Sequence, residues 1–147
     1  MLLSRGCEYG LRAAIYIAQH AGDGYVPIRK VSDDLGIPFH FLTKILQQLN
    51  GALLVESFRG PTGGVRLARE PGSISLKDIV VALDGDDLFC ACVLGLPGCG
   101  DEVPCPLHVE WSKERDRWSN LLESTTLAET ASQIVAGGIR IGVASNS

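Results

Sequence analysis

The 147-residue sequence lacks a long hydrophobic run, and this absence argues against a membrane-spanning helix. No apolar stretch approaches the roughly 20 residues that a bilayer span requires. Arg5, Glu8 and Arg12 interrupt the apolar positions near the start, so a secretory signal is not expected there. We therefore expect a soluble, cytoplasmic protein without a membrane partner.

The chain also lacks the usual motifs of enzymes. We recognise no pair of nucleophile and base, and the glycine-rich stretch GPTGG at 60–64 has no following lysine, which a phosphate-binding loop requires. Apolar residues make up 46 % of the chain and charged residues 20 %, so most of it can fold around a hydrophobic core. We expect a folded binding protein and not an enzyme.

Charge is distributed unevenly along the chain. The net charge is -4, but residues 1–69 contain eight Lys/Arg against five Asp/Glu, whereas residues 70–147 contain five against twelve. The first part therefore has a charge of +3 and the second a charge of -7. Because partners respond to local fields, a basic first half is compatible with nucleic-acid binding.

The first half has the pattern of a helix-turn-helix. Apolar residues at three- and four-residue steps predict a helix that Ser4 caps and that ends near Gly22. A short helix follows and ends at Gly36, and Pro38 begins a second helix with an apolar face. A short helix, a tight turn at a glycine and an amphipathic second helix are typical of this DNA-binding motif.

A β-hairpin is predicted directly behind this motif. Two short β-prone runs flank the Gly/Pro turn at 60–64, and a hairpin in this position is the wing of a winged helix. The polar face of the second helix can read bases in the major groove, Arg59 can enter the minor groove, and further arginines can neutralise phosphates. The predicted DNA-binding residues are His40, Thr43, Lys44, Gln47, Arg59 and Arg66, with Arg69 as a further phosphate contact.

The predicted fold is mainly α with a small β-hairpin wing: a winged helix-turn-helix domain plus a long C-terminal dimerisation helix. Ser75 and Asp78 form a capping box for the last helix of the DNA-binding domain. The later helix carries Trp111, Trp118 and Leu121 on a stripe that continues to Leu127. We expect a DNA-binding domain at 1–84, a cysteine-rich loop at 85–108, a dimerisation helix at 109–136 and a tail at 137–147.

The loop contains four of the five cysteines, in the order Cys90, Cys92, Cys99 and Cys105, followed by His108. Thiolates on a loop rich in glycine and proline favour an iron-sulfur cluster, because such loops can curl around it. The gaps of six and five residues are wider than the usual zinc knuckle, so zinc is a weaker alternative. Cys92, Cys99 and Cys105 are the predicted ligands, and the fourth ligand is left open between Cys90, His108 and Glu8. Cys7 is interpreted as a small buried residue.

The sequence resembles the Rrf-two family of bacterial regulators over nearly its whole length. The most specific segments are YGLRAAIYIA, IPFHFLTKILQQL, ESFRGPTGGVRLAR, ISLKDIVVALDG and the loop with three cysteines. It departs from the family pattern in a first gap between cysteines that is one residue longer, in the additional Cys90, and in Val65, where an aromatic residue is common.

This resemblance implies a winged-helix homodimer that binds palindromic promoter DNA. It also implies a 2Fe-2S or 4Fe-4S cluster that senses iron-sulfur supply, nitric oxide or redox state. Cys92, Cys99 and Cys105 match the family's cysteine ligands. His108 matches the histidine ligand of some members, and Glu8 matches an acidic residue that ligates from the partner subunit in others. The alternative is a winged-helix regulator whose cysteines form a zinc site or a thiol redox sensor without a cluster.

Overall fold

Seven helices and one hairpin make up the computed structural model, which describes residues 2–136 and 140–142. The predicted mainly helical fold with a hairpin wing is confirmed. None of the described helices is both long and apolar enough to cross a membrane. The elements in chain order are α1 Arg5–Gln19, α2 Ile28–Leu35, α3 Phe39–Gly51, β1 Val55–Phe58, β2 Gly64–Leu67, a short 3-10 turn Pro71–Ser73, α4 Leu76–Asp84, α5 Asp87–Cys90, α6 His108–Ser124 and α7 Leu127–Ala136.

Local signals in the sequence fix one end of each of the helices α1, α2 and α4. The Ser4 hydroxyl accepts a hydrogen bond from the Cys7 amide at 3.0 Å and so caps α1. Gly36 ends α2 with a φ of 66°, a left-handed conformation that a glycine adopts at little cost. Ser75 and Asp78 form the expected capping box at the start of α4. The predicted boundaries are therefore close to those observed.

The core lies between α1, α3, α4, α7 and the hairpin. Gly10 is the point of closest approach, because a Cβ there would lie 2.2 Å from Leu83 Cδ1 and 3.2 Å from Ile45 Cγ2. Only a glycine lets α1 pack this closely against α3 and α4. The largest fully buried side chains are Ile17, Leu35, Ile37, Leu42, Leu46, Leu49, Ile74, Ile79, Leu127, Val31, Val55 and Val65.

The hairpin is attached to the core through its second strand. β1 and β2 pair antiparallel, with Val55 opposite Leu67 and Phe58 opposite Gly64. Val65 bridges to Val26 on the other side and is fully buried. The residue that departs from the family pattern is thus a core residue of the wing.

The C-terminal helix differs from the prediction. The helix expected over 109–136 is two helices, α6 and α7, separated at Thr125 and Thr126. Backbone pairing with the segment before α4 holds the break: the Leu76 amide donates to Thr125 O, and the Leu127 amide donates to Ile74 O, both at 2.9 Å. Leu127 is therefore fully buried in the core, and not part of an exposed dimerisation stripe.

Two further differences concern the segments around these helices. The loop expected at 85–108 contains one short helix, α5. The tail predicted for 137–147 lies outside the described residues except for 140–142, where Ile141 packs against the core and its carbonyl accepts a hydrogen bond from Arg12.

Candidate functional sites

α3 has the two faces that a recognition helix requires. Its apolar face, with Leu42, Ile45, Leu46 and Leu49, is buried against the domain. On the opposite face His40, Lys44 and Gln47 are exposed, as the sequence predicted. Thr43 is only half-buried, and its hydroxyl donates to the Phe39 carbonyl at 2.9 Å. This hydroxyl therefore has only its acceptor side free for a base.

The wing arginines differ in how far their charges are already compensated. Arg66 pairs with Glu56 at 3.0 Å and lies 4.5 Å from the centre of the Tyr25 ring. Arg69 lies 3.8 Å from Asp78. Arg59 is exposed beside the wing turn and, within the described chain, forms no ion pair. Arg59 is thus the wing cation most available to DNA.

Sequence reasoning assigned no surface role to the aromatic residues at the start of the recognition helix. Phe39 and Phe41 remain more than a third exposed at the start of α3. The Arg29 guanidinium lies 4.0 Å above the Phe39 ring, and Tyr9 meets Phe41 edge to face at 5.5 Å. The signal was present in the sequence, because Phe39 and Phe41 flank His40 outside the apolar stripe of the helix.

The three predicted cysteine ligands come together on the loop. The sulfur atoms of Cys92, Cys99 and Cys105 all lie within 4.8 Å of one another. Cys92 Sγ is 3.7 Å from Cys105 Sγ, and the Cys105 amide donates to Cys99 Sγ at 3.4 Å. Thiols separated by seven and six positions in sequence therefore form a single cluster.

Tight turns at two glycines produce this convergence. Gly95 and Gly98 have φ values of 70° and 69°, and the Gly95 amide donates to the Cys92 carbonyl at 3.0 Å. The same turns direct amides at sulfur. Hydrogen bonds from the backbone amides of Leu96 and then Leu94 lower the pKa of Cys92 to about 7, although burial opposes the shift. This thiol is thus prepared to bind a metal as the thiolate.

Within the single described chain, His108 is the candidate fourth ligand that lies beside one of the three cysteines. Its Nδ1 atom lies 3.6 Å from Cys99 Sγ, and its Nε2 atom lies 2.9 Å from Asp101 Oδ1. A carboxylate on the second ring nitrogen is the usual orienting partner of a metal-bound histidine. Cys90 is exposed and instead donates its thiol to the Asp86 carbonyl at 3.3 Å. Glu8 is exposed on α1, and since the resemblance implies that it ligates from the partner subunit, it stays a candidate.

This donor set fits an iron-sulfur cluster. Three sulfur atoms and one imidazole nitrogen are soft or borderline donors. The sulfur atoms lie on an irregular segment that can adjust to the size of the group, and the imidazole belongs to the first residue of α6. A structural zinc ion also accepts three cysteines and one histidine, so the donor types alone fit both. The residues that would hold either group are the same.

α6 holds the base of the cysteine loop. The Trp111 indole donates to the Ala91 carbonyl at 3.0 Å. Arg115 Nη1 donates to the same carbonyl at 3.0 Å and to the Cys90 carbonyl at 2.5 Å. The loop is therefore tied to the first half of α6, next to Cys92.

Together, the fold and these surfaces are those of a winged-helix transcription regulator. More specifically, the chain belongs to the Rrf2 family: the family model described as an iron-dependent transcriptional regulator matches residues 3–133. This is the Rrf-two family that the sequence motifs indicated.

Similar proteins include transcriptional regulators named IscR. The IscR of Sodalis glossinidius is 34 % identical over 131 residues, which are 89 % of this chain and 78 % of that protein. The IscR of Aliivibrio salmonicida is 34 % identical over 128 residues, covering 87 % and 75 %. Among solved structures, CymR, the global cysteine regulator of B. subtilis, is 30 % identical with a TM-score of 0.77, covering 89 % of this chain and 96 % of that one. The T. potens IscR is 28 % identical with a TM-score of 0.74, covering 94 % and 93 %.

Proposed function

We propose that this protein is a homodimeric regulator whose affinity for promoter DNA depends on an iron-sulfur cluster held by Cys92, Cys99 and Cys105, with His108 as the fourth ligand. The observation that carries the proposal is the convergence of three thiols on the segment between the DNA-binding domain and α6, with the imidazole of His108, the first residue of α6, beside one of them. The names of the IscR relatives support a regulator of this class. A cytoplasmic location stays a prediction from the sequence.

When bound, an iron-sulfur cluster would supply a group that responds to redox state, nitric oxide or cluster supply. The protein's own part is to position that group between two packed elements. On one side, Trp111 and Arg115 tie the start of the loop to α6. On the other side, Asp84, the last residue of α4, precedes the loop directly and accepts hydrogen bonds from the Ser4 amide at 2.9 Å and the Ser4 hydroxyl at 2.5 Å.

This second attachment connects the loop to the DNA-binding elements. Ser4 caps α1, and one turn into that helix Tyr9 packs against Phe41 of α3. A rearrangement of the loop that moves Asp84 thus acts on the cap of the helix that supports the recognition helix. A coupling of about 1–3 kcal/mol between the two sites is typical of such linked equilibria.

Dimerisation through α6 follows from what this helix leaves exposed. Within the described chain, none of its 17 residues is buried, although it carries Trp111, Trp118 and Leu121. Leu121 is 63 % exposed and Val109 is 61 % exposed. One face of α6, with Trp111 and Trp118, is only half-buried, and its exposed apolar side chains lack a cover within the described chain, so a second copy is the proposed cover. The dimer would then set its two recognition helices about one DNA turn apart, roughly 34 Å.

A thiol redox sensor is the second candidate, and one contact favours it. Cys92 Sγ and Cys105 Sγ lie 3.7 Å apart, so an oxidant could join them after a small movement. In that case DNA affinity would respond to oxidation without any iron in the protein. The two functions use the same cysteines and are separated by metal content.

The test is anaerobic purification followed by iron and sulfide counting and a visible spectrum. The proposed cluster predicts equimolar iron and sulfide with absorbance between about 300 and 600 nm. Replacing any one of Cys92, Cys99 or Cys105 by serine should abolish or strongly reduce this absorbance, whereas Cys90→Ser, the matched control, should keep it. Zinc without colour would favour the zinc alternative, and thiols without metal would favour the redox sensor.

The fourth ligand and the regulatory effect need two further comparisons. His108→Ala should alter the visible spectrum, whereas Glu8→Ala should not; the reverse result would assign Glu8. DNA affinity is compared between the cluster-loaded protein and the chelated protein, at matched salt, on a duplex that the protein has selected from a random pool. Equal affinities in the two forms would refute control by the cluster.

A further inference from the structure

A surface pocket of about 390 Å³ lies between the start of α1 and the start of α3. The sequence predictions assigned His40 and Lys44 to base reading and gave no role to the pocket. Its walls come from both helices, which are positioned by the buried contact at Gly10. The lining residues are Arg5, Tyr9, Pro38, His40, Phe41 and Lys44.

The pocket combines two uncompensated cations with an aromatic floor. Arg5 and Lys44 are exposed, and among the residues that the structure describes neither forms an ion pair, even though Glu8 is only three positions from Arg5. Tyr9 and Phe41 also line the pocket and meet edge to face, with their ring centres 5.5 Å apart. Exposed cations with no acidic partner indicate a site for an anion supplied by another molecule.

The position of the pocket identifies that anion. In a helix-turn-helix the start of the recognition helix approaches the bases, so the surface beside that end lies near the sugar-phosphate backbone. Arg5, at the start of α1, lines the same pocket as the start of α3, and Lys44 lies one turn after His40 on the exposed face of α3. Lysine binds phosphate as a point charge and arginine as a planar fork, so both can contact one phosphate that enters this pocket.

We propose that the α1–α3 pocket is a clamp for one backbone phosphate of DNA, in which Arg5 and Lys44 bind the phosphate oxygens and the rings of Tyr9 and Phe41 pack against the adjoining sugar. This inference rests on the proposed DNA-binding function and adds two things to it. It brings α1 into the DNA interface, and it moves Lys44 from reading a base to holding the backbone.

The clamp is tested by the salt dependence of DNA binding. The full-length protein, purified anaerobically, first selects a duplex from a random pool, and binding to that duplex is then measured over a range of salt concentrations. Because a homodimer would place one clamp on each half-site, Arg5→Gln and Lys44→Gln should each reduce the slope of log K against log salt by up to about 1.8, or about 0.9 per half-site, and weaken binding up to about 30-fold near 0.15 M salt. Arg5→Lys should retain most of the wild-type slope and most of the wild-type affinity, because it keeps the positive charge.

Sequence preference separates a backbone contact from a base contact. A backbone clamp requires both glutamine variants to select the same sequence as the wild type, because a lost phosphate contact weakens all sequences alike. Lys113→Gln on α6, which removes the same charge away from the pocket, should leave slope and affinity unchanged. A changed base preference in Lys44→Gln would overturn the assignment of Lys44 to the clamp.

A scan of the selected duplex with single uncharged methylphosphonates tests whether the phosphate is shared. One position in each half-site should weaken binding of the wild type and have little further effect on either glutamine variant. Wild-type slopes in both variants, or two separate phosphate positions within one half-site, would overturn the clamp while leaving DNA binding intact. A wild type that binds no duplex would overturn the proposed function and the clamp together.

Discussion

Leu127 and Leu121 provide a direct test of where the core ends and the dimer surface begins. The sequence pattern assigns both to one stripe, but the structure buries Leu127 fully and leaves Leu121 63 % exposed. Leu127→Ala removes a fully buried side chain from the core and should lower the free energy of unfolding by about 3 kcal/mol, within the range of 2–5 for such changes. For a domain of this size the loss corresponds to a fall in Tm of about 10 °C.

Leu121→Ala is the matched control, because it deletes the same atoms from an exposed position. It should change the stability of the folded monomer by less than about 0.5 kcal/mol. If α6 forms the dimer, the variant should shift sedimentation equilibrium toward monomer and make Tm depend more steeply on protein concentration. The reasoning is refuted if Leu127→Ala dissociates the dimer without loss of monomer stability, as a residue on one continuous dimerisation helix would.

Three further outcomes are expected. Ser75→Ala removes the side-chain cap of α4 and should cost about 1 kcal/mol in denaturant unfolding; an unchanged midpoint would contradict the capping box. Gly10→Ala places a methyl group 2.2 Å from Leu83 Cδ1 and 3.2 Å from Ile45 Cγ2 and should cost up to about 1–3 kcal/mol, measured the same way; a neutral result would mean that the Leu83 side chain can turn aside. Burial, and then the Asp84 carboxylate, raise the pKa of Cys7 to about 12 from an ordinary 9.0. The folded state therefore keeps this proton longer than the unfolded chain, and stability should fall as pH rises from 9.0 toward 12, a fall that Cys7→Ala should reduce.

The winged-helix half could be predicted because its boundaries are marked locally. Ser4 begins α1, Gly36 ends α2 and Pro38 precedes α3. Each signal acts through the conformation or hydrogen bonding of a single residue, so it is readable without knowledge of the rest of the fold. The hairpin followed for the same reason from the Gly/Pro turn at 60–64.

The break between α6 and α7 could not be predicted in this way. Thr125 and Thr126 are neither glycine nor proline, and the apolar spacing runs on through Leu127. What interrupts the helix is pairing with Ile74 and Leu76, about 50 positions earlier in the chain. Such a signal is tertiary, because it exists only after α4 has docked.

The cysteine site, too, could be predicted from the sequence only in part. Residue types and spacing predict the three thiols that converge, since only a curled loop places such ligands around one centre. The orientation of His108 depends on Asp101, and the separation of Cys90 depends on α5. Neither feature is marked in the sequence by a periodic pattern or by a turn residue. The sequence alone therefore does not select the fourth ligand.

The negative net charge does not conflict with binding DNA, because ion pairs within the protein compensate some of its cations and leave others without an acidic partner. Lys30, Arg66 and Arg69 lie close to acidic partners on their own domain. Arg5, Lys44 and Arg59, all on the side formed by α1, α3 and the wing tip, form no ion pair within the described chain and keep their full charge for a partner.

Most of the acidic excess lies instead beyond residue 83, around the cysteine loop and along α6. At physiological salt, fields decay over about 8 Å, so DNA at the recognition face would feel mainly the nearby cations. The acidic half would still repel a duplex that approached from its side. In the proposed complex, the distribution of charge thus favours a single docking orientation, in which the basic residues of the DNA-binding half, and not the acidic half of the chain, face the phosphates.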